Sequence, residues 1–263
     1  MAEWRWNAGV DSDANQSPQS PRPPSASRAL SAAFGTCYEY LGLTVAWSCL
    51  ASLVFLPIAD VALVAGREAV PRFTAIAAIR MLGRSALIIC CAAVVGAALT
   101  SLAGKMLARD EPSFLDPLRG VAEKGGAALK LAALNTLIWW VLWADLCFFG
   151  GSPSPALRLV AIPVLYALLL WMASGLYQMP LVVLQGLSPG RAIKQGVLLA
   201  LDNLVFTGVL AFAIIAVAGV SLATRLLLVL ALPVWLAVAA ATALRELIRK
   251  YEAMGASRQA PDV

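Results

Sequence analysis

Six stretches of this chain, residues 41–58, 86–104, 131–149, 159–179, 204–224 and 226–244, run for 18 to 21 residues each and hold a single charged side chain between them, Asp145. An α-helix rises about 1.5 Å per residue, so about 20 apolar residues cross the hydrocarbon of a bilayer. Core helices of a soluble protein carry a polar face, and strands of a membrane barrel alternate with a period of two; these runs do neither. The sequence therefore predicts an all-α, polytopic transmembrane helix bundle of about six spans. Composition agrees, since 13% of residues are charged, about half the usual share.

The charges that remain are clustered. Of the 35, 28 fall in residues 1–30, 59–85, 105–130 and 245–263. Lys and Arg are retained on the cytoplasmic side during insertion. With six spans and the N-terminus inside, 14 of the 20 basic residues fall on the inner side, which predicts that both termini are cytoplasmic. The discordant loop carries Arg67, Arg72, Arg80 and Arg84. Here Pro71 is placed to start a short helix, with Phe73, Ile76, Ala77 and Ile79 at helical spacing. Residues 67–84 read as an amphipathic helix lying in the interface, with a re-entrant element as the alternative.

Residues 1–30 have the composition of a disordered Pro/Ser-rich tail, and 253–263 read as a flexible C-terminal tail. The PxxP spacing at Pro18, Pro21 and Pro24 is the feature of the first tail that a partner's aromatic groove would read. The first apolar run begins at Tyr40 and is expected to act as an uncleaved insertion signal. Asp116–Pro117 and Ser188–Pro189 read as N-caps followed by proline at the first helical position. The second pair opens an amphipathic stalk carrying Arg191 and Lys194. With Arg119 these are the predicted cytoplasmic basic contacts, facing anionic lipid and any partner. Charges scattered over four loops exclude a nucleic-acid face.

The chain contains no histidine, which removes His-based metal sites, Ser-His-Asp and Cys-His catalysis and imidazole relays. The five cysteines, Cys37, Cys49, Cys90, Cys91 and Cys147, lack CxxC spacing and lie mostly in apolar runs, where cysteine packs as a small hydrophobe. No metal, cofactor or catalytic residue is predicted. Acidic residues in or near spans are functional candidates by default. Asp145 near the outer end of the third span and Asp202 just before the fifth stand at different heights, which excludes a carboxylate dyad; both read as headgroup-level hydrogen-bonding residues. A solute path through Asp145 is the alternative.

Tryptophan is placed unexpectedly. Interfacial belts are its usual position, yet Trp47, Trp139, Trp140, Trp171 and Trp235 all lie within three residues of the midpoint of a span. The rings either pack the bundle interior at one level or line a mid-membrane aromatic cavity. Asn135, Thr136 and Ser174 are the polar side chains near them. In the second span Ala92, Gly96, Thr100 and Gly104 recur at intervals of four. Such a stripe of small residues admits a close helix neighbour, from within the bundle or from a second copy; nothing else in the sequence indicates a homo-oligomer.

Several stretches together resemble the YesL-like family of bacterial integral membrane proteins: Gly96–Lys105, Arg109–Phe114, Leu118–Gly120, Ala144–Phe149, Tyr177–Pro180, Ala192–Asn203 and Leu247–Glu252. The resemblance covers residues 38–252, with Ala97 where the family has proline and 59–85 as an insertion. The family has no established biochemical activity. Its members are often encoded beside sugar-uptake ABC transporters and polysaccharide-degrading enzymes, so the resemblance implies a non-enzymatic accessory or scaffold role in carbohydrate uptake at the bacterial cytoplasmic membrane. A sugar ABC transporter would be the partner, beside the lipid bilayer. The alternative from the residues is a permease or channel component for a small, largely uncharged solute.

Overall fold

The computed structural model describes residues 24–68, 75–224 and 229–259, with side chains over 24–54, 86–221, 223–224 and 229–254. Every regular element among the described residues is a helix: α1 (Ala26–Glu39), α2 (Leu41–Glu68), α3 (Ala75–Ala108), α4 (Asp116–Gly150), α5 (Pro155–Val183), α6 (Pro189–Asp202), α7 (Leu204–Thr224) and α8 (Leu232–Gln259). Among the described residues four helices are long and apolar enough to cross a membrane: the Ala86–Ala108 part of α3, then α4, α5 and the Leu204–Ser221 part of α7. A fifth is obtained if the pair Ala26–Glu39 and Leu41–Val54, bent by 97°, counts as one. The described residues are thus all-helical, with four to five helices long and apolar enough to span, as a multi-pass membrane protein requires, where the sequence predicted six. The sixth window, 226–244, begins in residues outside those described and continues into α8.

α8 is the centre of the bundle, packed against α1, α2, α3, α5 and α7. Its residues Val234, Val238, Ala239, Ala241, Ala243, Leu244 and Leu247 are wholly buried. Five of these seven are alanine or sit beside one, so neighbouring backbones approach closely on several sides. α1 runs antiparallel to α8: Arg28 pairs with Glu246 (3.3 Å), Thr242 Oγ1 donates to the Ala29 carbonyl (3.3 Å), and Phe34 stacks near Trp235 with ring centres 5.1 Å apart. The buried face of α1 is Ala26, Ala29, Ala33 and Cys37, small side chains at helical spacing that make this approach feasible. α2 then caps α8, because Ser48 Oγ accepts the Val234 N–H (3.4 Å), one of the first-turn donors that has no partner inside its own helix.

Helix ends follow local chemistry. α3 stops where Arg109 takes a left-handed conformation (φ 56°). Asp116 is the first residue of α4 and not its N-cap, which is Leu115; its carboxylate reaches back to accept the Ser113 N–H (2.7 Å). Ser188 does occupy the N-cap position of α6, although its hydroxyl makes no capping bond. Gly186 (φ 66°) turns the chain between α5 and α6. The stalk expected to run into the fifth span is a separate helix, since the backbone breaks at Asn203 between α6 and α7.

Three boundaries move. α1 starts at Ala26, inside the stretch read as a tail, because burial of Ala26 and Ala29 against α8 supplies what the composition lacks. The backbone of α8 continues to Gln259, into the expected C-terminal tail. Residues 75–84 are continuous with the second apolar run in one 34-residue helix, so no short helix of their own is formed there. Pro71 and Phe73 lie outside the described residues.

Candidate functional site

Two regions bring together the residues singled out by the sequence. The first is a cleft of about 400 Å³ between α3, α4 and α5, lined by Asn135, Thr136, Trp139, Trp140, Trp171 and Met172 among others. α4 supplies most of it: Trp139 and Trp140 precede its end at Gly150 by about 15 Å of helix rise, well inside the apolar run. Trp139 stacks flat on Trp143 (5.5 Å between ring centres, 4° between planes) and meets Trp140 edge-on (5.7 Å, 83°). Trp143, four residues after Trp139, was not among the expected residues, and the i, i+4 spacing was the signal for it.

The other two tryptophans are elsewhere. Trp47 packs beside Phe114 of the α3–α4 connection (5.3 Å), and Trp235 beside Phe34; both rings are buried, and neither indole N–H has a partner among the described residues. Three of the five expected rings therefore share a cleft, and two are core. Among the described residues no polar partner meets the side chains of Asn135 and Thr136 or the indoles of Trp139, Trp140 and Trp171. Asp145 is half-buried near the end of α4, away from this lining, and makes no hydrogen bond or ion pair among the described residues.

A second groove of about 460 Å³ lies between α3, α5 and α8 and shares Met172 and Gly175 with the first. Ala92, Gly96 and Thr100 of the small-residue stripe line it. The stripe also contacts α5 within the chain: a Cβ on Gly96 would stand 2.8 Å from Met179 Cε, and one on Gly104 would press on Leu184. Gln178, 1% exposed, donates to Ser174 Oγ (2.9 Å) and leaves its own carbonyl oxygen unpartnered where α6 crosses at Gly196. Tyr177 and Thr207 share a hydrogen bond of 2.8 Å that joins α5 to α7.

The second region is the charged end of the bundle. Lys105 Nζ donates to Asp116 Oδ1 (2.8 Å), and Arg119 stands 3.9 Å from the same oxygen with its side chain 72% exposed. Arg245 donates to the Leu107 carbonyl (3.1 Å), satisfying an end of α3. At the α6–α7 break Lys250 Nζ donates to Asn203 Oδ1 (2.6 Å), Asn203 Nδ2 donates to the Tyr251 hydroxyl (2.9 Å), and that hydroxyl donates to Asp202. Arg191 and Lys194 are exposed and make no ion pair among the described residues. They belong to the same end as Arg119, because Lys124 Nζ reaches Gly186 in the turn before α6 (3.8 Å from a Cβ position).

Asp116 lies in the charged segment that precedes the apolar run of α4. The hydrogen bond from Lys105 holds its carboxyl below the usual carboxylate range; burial opposes this, and the Ser113 N–H and both nearby cations reinforce it. A lowered native pKa contributes stability that is complete above the unfolded value, near 4, and is lost as pH falls through the native one. Asp116→Asn is expected to cost about 1–2 kcal/mol at neutral pH. Thermal unfolding in micelles should show a constant gap from about pH 7 to about pH 5 that closes below about pH 4. A gap that persists in acid would exclude this role.

Among the described residues no three His, Cys, Asp or Glu side chains come together as a metal-binding group. Comparison with protein-family models, characterised proteins and solved structures gives no match.

Proposed function

We propose that this chain is a YesL-like protein of the bacterial cytoplasmic membrane, with six spans and both termini inside, acting without catalysis as an accessory or scaffold for a carbohydrate-uptake ABC transporter. The observation that carries the reading is the division of labour among charges at one end of the bundle. Asp116, Asp202 and Glu246 are committed to ties within the fold, whereas Arg191 and Lys194 are exposed and make no ion pair among the described residues, and the Arg119 side chain, 3.9 Å from Asp116, remains 72% exposed. Exposed cations on one face suit an acidic docking surface or anionic headgroups. The resemblance to the YesL-like stretches supplies the kind of partner.

The same division bears on the second reading. A permease for a small uncharged solute draws support from the aromatic cleft. That cleft lies to one side, between α3, α4 and α5, and the buried column of α8 fills the centre of the bundle.

A photo-crosslinking residue placed at position 119 or 194 in growing cells is expected to form an adduct with the membrane or ATPase subunit of an ABC transporter, identified by mass spectrometry. Arg191→Glu combined with Lys194→Glu should abolish that adduct while leaving the protein in the membrane. Adducts with lipid alone would overturn the accessory role.

A further inference from the structure

We propose that the α3/α4/α5 cleft holds the uncharged, hydroxyl-bearing ring of an amphiphile whose alkyl chain lies in the adjoining α3/α5/α8 groove, the chemistry of an alkyl glycoside. The proposal rests on the membrane location of the bundle and is independent of whether its charged end docks on a transporter.

In a membrane the cleft would face hydrocarbon with polar groups that find no partner among the described residues: the Asn135 amide, the Thr136 hydroxyl and the indoles of Trp139, Trp140 and Trp171. An unpaired polar group at that depth is costly, because no water is there to satisfy it. An indole N–H is a donor only, so the complement must bring acceptors. Flat aromatic faces beside those donors suit a ring with an apolar face and a rim of hydroxyls. Among the described residues no charged side chain lines either cavity, which disfavours a phosphate or ammonium headgroup at this level.

The adjoining groove sets the rest of the ligand. Its lining is apolar apart from Thr100, and it joins the cleft past Met172 and Gly175. A Cβ on Gly175 would meet no atom within 4 Å, so the passage between the two is open at that residue. A free sugar would fill the cleft and leave the groove without an occupant. An alkyl chain fills it and gains the dispersion contacts of its walls.

The test uses the full chain in nanodiscs of phosphatidylcholine and phosphatidylglycerol, with a decyl glucoside carrying a diazirine in its chain. Photolabelling is expected on the segments 135–143 and 171–180 and is expected to be competed by dodecyl glucoside but not by glucose at the same concentration. Asn135→Leu and Trp140→Leu should each lower labelling about fivefold. Removing an unpaired amide from hydrocarbon does not endanger folding, so Asn135→Leu remains interpretable if the tryptophan variant fails. Gly175→Leu, which blocks the passage and leaves every donor in place, should lower labelling similarly. Equal labelling by a diazirine decanol would overturn recognition of the ring. Competition by glucose as effective as that by dodecyl glucoside would overturn recognition of the chain.

Discussion

Gly120→Val is expected to unfold the α3–α4 pair or to destabilise the protein by about 3 kcal/mol or more, read as loss of monodisperse elution and a lowered melting temperature. Gly120 is buried where α4 crosses α3, and the place its Cβ would take is held by the hydroxyl and Cβ of Ser101, with the Ala97 carbonyl oxygen 3.7 Å away. Ser101 Cβ is fixed to its backbone, so it has no rotamer by which to yield, and the helices must separate. In a bilayer, helix association depends on close packing, because lipid tails are as apolar as the helix surface. Even Gly120→Ala should cost about 2 kcal/mol. Pairing it with Ser101→Gly should restore most of the loss, and absence of rescue would place the effect elsewhere.

The second large effect is expected at Asn203. Its side-chain amide donates to the Leu199 carbonyl (3.2 Å) and to Tyr251, and its oxygen accepts from Lys250. Asn203 is 7% exposed, so truncation strands several groups at once. Burial raises the Tyr251 hydroxyl above its ordinary value, and the neighbouring Asp202 adds to this, which keeps the phenol protonated as a donor. Asn203→Leu should cost about 2–3 kcal/mol and loosen α6 from α8 together. Hydrogen exchange at the α6 amides would rise severalfold while exchange in the α3–α4 crossing stays as in the wild type. Uniform acceleration across the bundle would show that Asn203 does no local tying.

Much of this architecture is legible in the apolar runs, because a bilayer leaves few ways to satisfy a backbone other than a helix. α3, α4, α5 and α7 follow directly. α1 does not: Ala26, Ala29 and Ala33 read as tail composition, and only the presence of α8 opposite them turns small size into close packing. The break at Asn203 was hidden for a similar reason, since asparagine between two helical patterns acquires its meaning from Lys250 and Tyr251, 47 and 48 positions further on. Tryptophan depth along each span was readable, but helix rotation was not. Position within a span therefore grouped Trp47 and Trp235 with the cleft, although their rings turn toward Phe114 and Phe34 instead.

The central position of α8 sets a schedule for assembly. The residues that α1 packs on leave the ribosome more than two hundred positions after it, as Arg28 with Glu246 shows. At about 5–20 residues per second, α1 waits roughly 10–40 s for its neighbour. Through that interval its face of small side chains has no permanent cover, and the earlier spans surround a vacancy. α8 follows all the helices that it joins, so a ribosome that stalls before residue 232 leaves a set of inserted helices without the core that would join them.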